Sequence, residues 1–184
     1  ISDCLVGSEM CIRDSMISVQ QRPKLYESFG MNYAAKTIKN FINKLEIDID
    51  AYDLYSCFPA AVRMFKDSLE IDDDKPLTVT GSMPFAGGPL NSYVLHSSVA
   101  MIERIRTNKI SYGLVTGVSG MMTKQSFCVW GKEYKEGFMH SDVTKKVQSE
   151  ELPLNLSSKL DGEGKIVGYT FFESKDQNLS LIHI

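Results

Sequence analysis

The chain has 184 residues, 43% of them hydrophobic and 23% charged, with a formal net charge of -3 and a pI near 5.6. This is the composition of a globular domain with one substantial core, and its mild acidity argues against a nucleic-acid partner, whose binding surface gathers Lys and Arg. No apolar run approaches the roughly 20 residues that span a bilayer, so no membrane span is expected.

Four cysteines, Cys4, Cys11, Cys57 and Cys128, follow neither metal-ligand nor disulfide-framework spacing; no metal site and a reducing, cytoplasmic compartment are expected. Residues 1–15 have no helical or strand periodicity and lack the basic start and apolar centre of a signal peptide. With the terminal LSLIHI (179–184) they resemble translated sequencing-adapter sequence. Both are expected to be non-native flanks around a gene fragment, divided into 16–130, one α/β domain, and 131–178, the start of a small β-rich domain.

In chain order, a turn at Arg22 and Pro23 precedes a helix over 31–46, with Ala34, Ile38, Phe41, Ile42 and Leu45 at helical spacing. A short strand, Tyr52 to Ser56, bends at Cys57 into a second helix, where Pro59 suits the first turn and Phe58, Val62, Phe65 and Leu69 form the apolar stripe. Asp72, Asp73 and Asp74 read as a solvated turn. Pro76 to Thr80 reads as a strand and leads into TGSMPFAGGPLNSYVLH (80–96), a glycine-rich loop that becomes helical near Asn91. On that helix, 91–106, Val94, Ser98, Met101 and Ile105 share a face, and Tyr112 to Gly117 is a further strand. Cys128 and Trp130 are expected to pack under the loop. Residues 132–160 show no clear helix, and Lys165 to Glu173 reads as a strand.

Strand, helix, strand, helix, strand predicts right-handed βαβ crossovers and a parallel-core sheet covered by helices. Ligands of such sheets gather beyond the C-terminal strand ends. Segments 55–58, 81–91 and 117–122 are therefore expected to converge. There Gly87 and Gly88 permit close approach to the backbone, Pro89 and Asn91 suit the start of a helix, and the helix N-terminus offers free N–H groups.

These three loops, in this order, resemble the C-terminal half of the thiolase superfamily over residues 22–130, and most closely the sterol-carrier-protein-type thiolases and thiolase-like proteins. Asp53-Leu54-Tyr55-Ser56-Cys57-Phe58-Pro59 stands where thiolases carry an NEAF or HDCF loop, Gly87-Gly88-Pro89 where they carry Gly-His-Pro, and Gly117-Val118-Ser119-Gly120 where many carry a Cys-x-Gly loop. The resemblance implies Claisen-type chemistry on acyl-CoA thioesters, acetyl-CoA C-acetyltransferase-like, with no bound cofactor and a homodimeric assembly. A cysteine in an N-terminal half takes up the acyl group, an acid/base moves the proton beside the thioester carbonyl, and donors hold the enolate oxygen. Without that half the chain is not expected to be active alone.

The departures sharpen the candidates. Gly88 replaces the Gly-His-Pro histidine and Val118 the late cysteine. Cys57 matches the HDCF cysteine and is the candidate acid/base, with a buried small hydrophobe as the alternative. His96 lies within two turns of the helix start; either it leans toward the loop in place of the missing histidine, or it is a surface or interface residue. Tyr55 stands where other thiolases have Asn or His and resembles the tyrosine of thiolase-like retro-aldolases that cleave β-hydroxyacyl-CoA; a packed aromatic is the alternative. Ser56, Gly87, Gly88, Pro89 and Asn91 are the candidate substrate-binding residues. A non-catalytic thiolase-fold binding subunit remains a third reading.

Overall fold

Helix α1 (Phe29–Lys44) opens the computed structural model, which describes residues 29–90, 92–118, 124–133, 138–150, 161–166, 169–173 and 179–183, with 155, 157 and 159 besides. Residues 1–28 and the Ser119–Met122 loop lie outside the described residues. Along α1, Met31 and Ala35 are buried, and Ile38 and Ile42 pack against the same cluster. Their spacing of four, three and four residues makes one continuous apolar stripe.

Helix α2 (Pro59–Leu69) begins with proline at its first turn, after an extended Phe58. It buries Ala61, Phe65 and Leu69, while Phe58, expected in that stripe, is 65% exposed. Phe58 is the N-cap residue, so its side chain projects from the bend rather than along the helical face. Helices α1 and α2 meet over Leu54, Ile71 and Leu114. Asp72, Asp73 and Asp74 are exposed as expected, and Asp73 pairs with Lys66.

Strand β1 (Ala51–Asp53) runs parallel to β2 (Tyr112–Val118), pairing Ala51 with Gly113 and Asp53 with Val115. Strand β3 (Gln125–Gly131) runs antiparallel to β2 along its whole length, from Tyr112 opposite Gly131 to Val118 opposite Gln125. The sheet is therefore mixed, with order β1-β2-β3, and the all-parallel core expected from the sequence is corrected. Two segments account for the difference. Residues 125–131, for which no strand was expected, form the edge strand and carry Cys128 and Trp130, the two residues expected to pack under the loop. Residues 76–80, expected to be a strand, are not one: the Val79 and Thr80 N–H groups bond to the Asp53 carboxylate, not to a neighbouring strand.

Side chains alternate across the sheet as the pleat requires. Tyr52, Leu54, Leu114, Val118, Phe127 and Val129 face α1 and α2, where Phe127 meets Phe65 edge-on at 5.5 Å between ring centroids. Ala51, Val115 and Trp130 face α4 (Tyr93–Arg106) together with Met101 and Ile105. A three-layer α/β/α arrangement results. The short α3 (Met83–Ala86) lies in the loop before α4.

Farther along, α5 (Thr144–Glu150), not expected from the sequence, contacts α1. The segment expected to open a β-rich domain holds one antiparallel hairpin, β4 (Tyr169–Glu173) with β5 (Leu179–His183). Strand β5 consists of the residues expected to be a flank; the alternation in LSLIHI suits a strand. Among the described residues, no helix is long and apolar enough to cross a membrane.

Gly113 lets α4 approach β2 closely: a Cβ there would overlap the buried Met101 side chain. Gly113→Ala is expected to lower stability by about 1–3 kcal/mol, the usual cost of overpacking a core. A urea titration checks this; an unchanged midpoint would show that Met101 repacks freely.

Candidate active site

Asp53 closes β1 with a fully buried carboxylate. Oδ2 accepts the Thr78 Oγ1 hydroxyl at 3.0 Å, the Thr80 Oγ1 hydroxyl at 3.0 Å, and the Val79 and Thr80 N–H groups at 2.8 and 3.1 Å. Oδ1 accepts the Tyr93 hydroxyl at 2.9 Å and the Ser97 hydroxyl at 2.6 Å. Every partner is a donor, which suits an ionised, acceptor-only carboxylate. Burial of such a charge is tolerable only with its acceptor sites filled.

The same network widens the inward face of α4. Tyr93, Ser97, Met101 and Ile105 are its buried residues; of the expected face, Val94 packs half-buried against the Met101 and Ile105 cluster, and Ser98, one turn further along, is half-buried. Asp53 supplies the partner that lets Tyr93 and Ser97 turn inward.

Beyond Asp53 the chain bends toward α2. The Tyr55 N–H bonds to Thr116 Oγ1 at 2.8 Å, and its ring meets Tyr93 edge-on, with centroids 6.2 Å apart and planes at 83°. Ser56 is buried; its hydroxyl lies 3.3 Å from Tyr93 Oη and accepts the Met83 N–H at 2.9 Å. Cys57 is exposed and unoxidised. The Tyr55 phenol is pushed up to about 12, first by burial, then by its hydrogen bond to Cys57 and by the charge Cys57 carries as a thiolate. At neutral pH Tyr55 is therefore a proton-bearing phenol next to the sulfur.

The glycine-rich loop divides in two. In its first half the backbone donors are used internally: the Gly81 and Ser82 N–H groups bond to Thr78 Oγ1, that of Met83 to Ser56, those of Phe85 and Ala86 to the Ser82 carbonyl, and that of Gly87 to Met83. Ser82 is held at φ 72°, ψ 170°, a region otherwise left to glycine, and Gly87 repeats it at φ 74°, ψ 171°. Such strain persists only where the surroundings over-determine it. Here the Thr78 and Thr80 hydroxyls do so. In the second half, the Gly88, Tyr93 and Val94 N–H groups have no partners among the described residues, those of Leu95 and His96 bond to the Ser92 carbonyl, and Pro89 has none to offer. The Pro89 carbonyl instead accepts the Ser92 N–H at 3.1 Å and the Ser92 hydroxyl at 2.8 Å.

The structure thus brings Tyr55, Ser56 and Cys57 against the loop containing Gly87, Gly88 and Pro89. Asn91 lies outside the described residues. His96 is exposed on the outer side of α4, and no bond joins its side chain to Tyr55 or Cys57. Among the described residues no three His, Cys, Asp or Glu side chains group as a metal site. The sequence reading passed over Asp53, Thr78, Thr80, Tyr93 and Ser97. A carboxylate ending an apolar strand, and threonines two apart after another apolar run, were the available signals.

No family model and no curated protein matches the chain. Among solved structures, a monomeric SCP2-thiolase like protein type 1 from Mycobacterium smegmatis aligns with a TM-score of 0.71 and 24% identity, over 89% of this chain and 40% of that one. The chain has a thiolase-like fold. The resemblance read from the three loops is borne out at that level, and the chain spans well under half the neighbour's length. Within the thiolase-like fold, the Tyr55–Cys57 bend and the loop at Gly88 are the features with chemistry to offer.

The Tyr55 shift has a direct test. In an alkaline titration followed by tyrosine absorbance, Tyr52 and Tyr55 are both expected to ionise late, and the component lost in Tyr55→Phe is that of Tyr55. Cys57→Ala should lower its midpoint only part of the way to the ordinary 10, because burial is the larger cause. Stability linked to this group is whole below pH 10 and drains as pH rises toward 12. A midpoint unmoved by Cys57→Ala would break the link between the two residues.

Proposed function

We propose that this chain carries the acid/base part of an acyl-CoA C-acyltransferase site, acting in Claisen condensation or thiolytic cleavage of a 3-oxoacyl-CoA. The observation that carries this reading is the exposed thiol of Cys57 on the strand-to-helix bend, two residues from Tyr55 and tied to the glycine-rich loop through the Ser56–Met83 bond. As a thiolate, Cys57 takes the proton from the carbon beside the thioester carbonyl; as a thiol, it returns it. The N–H groups of Gly88, Tyr93 and Val94 are assigned to the enolate oxygen, Ser56 shapes the floor, and Asn91 is assigned to substrate binding. His96 is given an assisting role at the bound thioester.

The acyl-accepting cysteine is assigned to another part of the protein, so acyl transfer belongs to the intact molecule. The division into an α/β domain and a small β-rich domain, a cytoplasmic location and a homodimer complete the proposal, although the structural neighbour is described as monomeric.

The retro-aldolase reading ranks second. A base at Tyr55 would need its phenolate, which is scarce at neutral pH when the phenol is pushed up to about 12. A binding subunit without catalysis is the third reading. Acyl-CoA exchange by the intact protein separates them. Cys57→Ala is expected to lower turnover by at least about 100-fold, the usual share of acid/base catalysis. Retained turnover would remove Cys57 from the mechanism, and an intact protein that binds acyl-CoA without exchange or cleavage would support the binding subunit.

A further inference from the structure

The end of the sheet away from Cys57 carries a cavity of its own. On β2, Gly113 lies opposite Trp130 of β3, while Thr116, which binds the Tyr55 N–H, sits three residues further along the strand, about 10 Å away. The last turn of α4 and the end of β3 border a space of about 370 Å³, whose lining includes Ile102, Ile105, Arg106, Asn108, Trp130 and Lys132. Its floor is apolar, since Trp130 and Ile105 belong to the cluster packed on Met101.

The polar groups around that floor are nearly all donors. The Trp130 indole nitrogen is buried, and among the described residues it is the one buried side-chain polar atom without a hydrogen-bond partner. Such orphans are rare in folded proteins, and each calls for an explanation. The Arg106 and Lys132 side chains are exposed, and neither has an ion-pair or hydrogen-bond partner among the described residues. Acceptors that a helix C-terminus usually leaves open are already used. Asn108 turns the chain at φ 56°, and the carbonyls of Glu103, Arg104 and Ile105 take the N–H groups of Thr107, Lys109 and Asn108 at 3.0 Å each. Glu103 and Glu133, the carboxylates nearest in the chain, neither line the cavity nor pair with the two cations. Only the Asn108 amide oxygen offers a side-chain acceptor.

We propose that this cavity binds an amphiphilic anion, an aliphatic body with a carboxylate or phosphate head. The body lies on Ile102, Ile105 and the indole ring, and the head lies between Arg106 and Lys132, with the indole N–H as a further donor. Guanidinium and ammonium groups are the side chains that hold such heads. A cationic ligand would meet like charge, and an uncharged one would leave both cations unpaired. The site goes beyond the acyl-transfer reading and does not rest on it.

The test follows the Trp130 indole proton by NMR in the intact protein, labelled at the tryptophan indole nitrogen and assigned by the signal lost in Trp130→Phe. Octanoate and octyl phosphate carry the two heads on one body, and octanol carries the body without charge. At least one of the anions is expected to shift the signal to a plateau, with octanol at least about tenfold weaker, the factor of a charge-assisted hydrogen bond. The tighter anion identifies the head. Arg106→Gln combined with Lys132→Gln is expected to weaken that anion by at least about tenfold and to leave octanol unchanged. Both side chains are exposed and unpaired, so this variant should unfold at the parent's urea midpoint. A signal that neither anion moves, or that drifts with concentration and reaches no plateau, would overturn the proposal. So would octanol binding as tightly as the anions, or a double variant binding them as tightly as the parent. None of these measurements involves Cys57 or turnover, so failure here is distinguishable from failure of the acyl-transfer reading.

Discussion

One buried carboxylate sets the terms for the rest of this molecule. Strand β1 is three residues long, and among the described residues its ladder partner is β2. Asp50 secures its start by accepting the Ser111 and Tyr112 N–H groups; Asp53 secures its end. Through Oδ2, Asp53 gathers residues 78–80, and through Oδ1 it gathers α4. An unpartnered carboxylate at this depth would be too costly to bury, and hydroxyls left without it would lose their own acceptor. Neither side of the network is stable without the other. The strand end, the loop and the helix start are therefore assembled together.

That coupling explains how a strained loop can sit where it does. Ser82 occupies a backbone region that non-glycine residues rarely visit, and its N–H is caught between the Thr78 and Thr80 hydroxyls. Those same hydroxyls are oriented by Asp53. The first half of the loop thus spends its donors on architecture, and after Gly87 the Gly88 N–H is left without a partner among the described residues. Tyr55 and Cys57 stand on the other side of the same network, where the Tyr55 ring meets Tyr93 edge-on and the thiol is exposed. A rigid buried base carrying an exposed thiol and open backbone donors is what proton transfer next to a carbonyl requires.

The thiolase-like fold and the proposed chemistry rest on different footings. At 24% identity the structural neighbour speaks for the path of the backbone, while a fold by itself hosts many activities. The chemistry is argued from side chains: a thiol where sterol-carrier-type thiolases have one, a phenol where others have Asn or His, and glycine in place of the loop histidine. Gly88 offers a backbone N–H but no titrating group, so the proposed proton chemistry is placed on the Tyr55–Cys57 bend.

By itself the sequence determined the local elements and their order. The apolar spacing of α1 and α2, Pro59 at a helix start, the glycine loop and the bend at Cys57 were legible because each depends on residues close in the chain. So was the thiolase-like resemblance, carried by three short motifs. Tertiary structure alone decided the rest. Residues 76–80 look like a strand by composition, yet their N–H groups go to a carboxylate 25 or more residues away. Residues 125–131 became an edge strand because β2 offered a free side. Tyr93 and Ser97 turned inward, beside the expected face of α4, because Asp53 waited there. Periodicity records which side chains avoid water, but it cannot record which polar groups find a distant partner. At this site, long-range hydrogen bonding outweighed the local pattern.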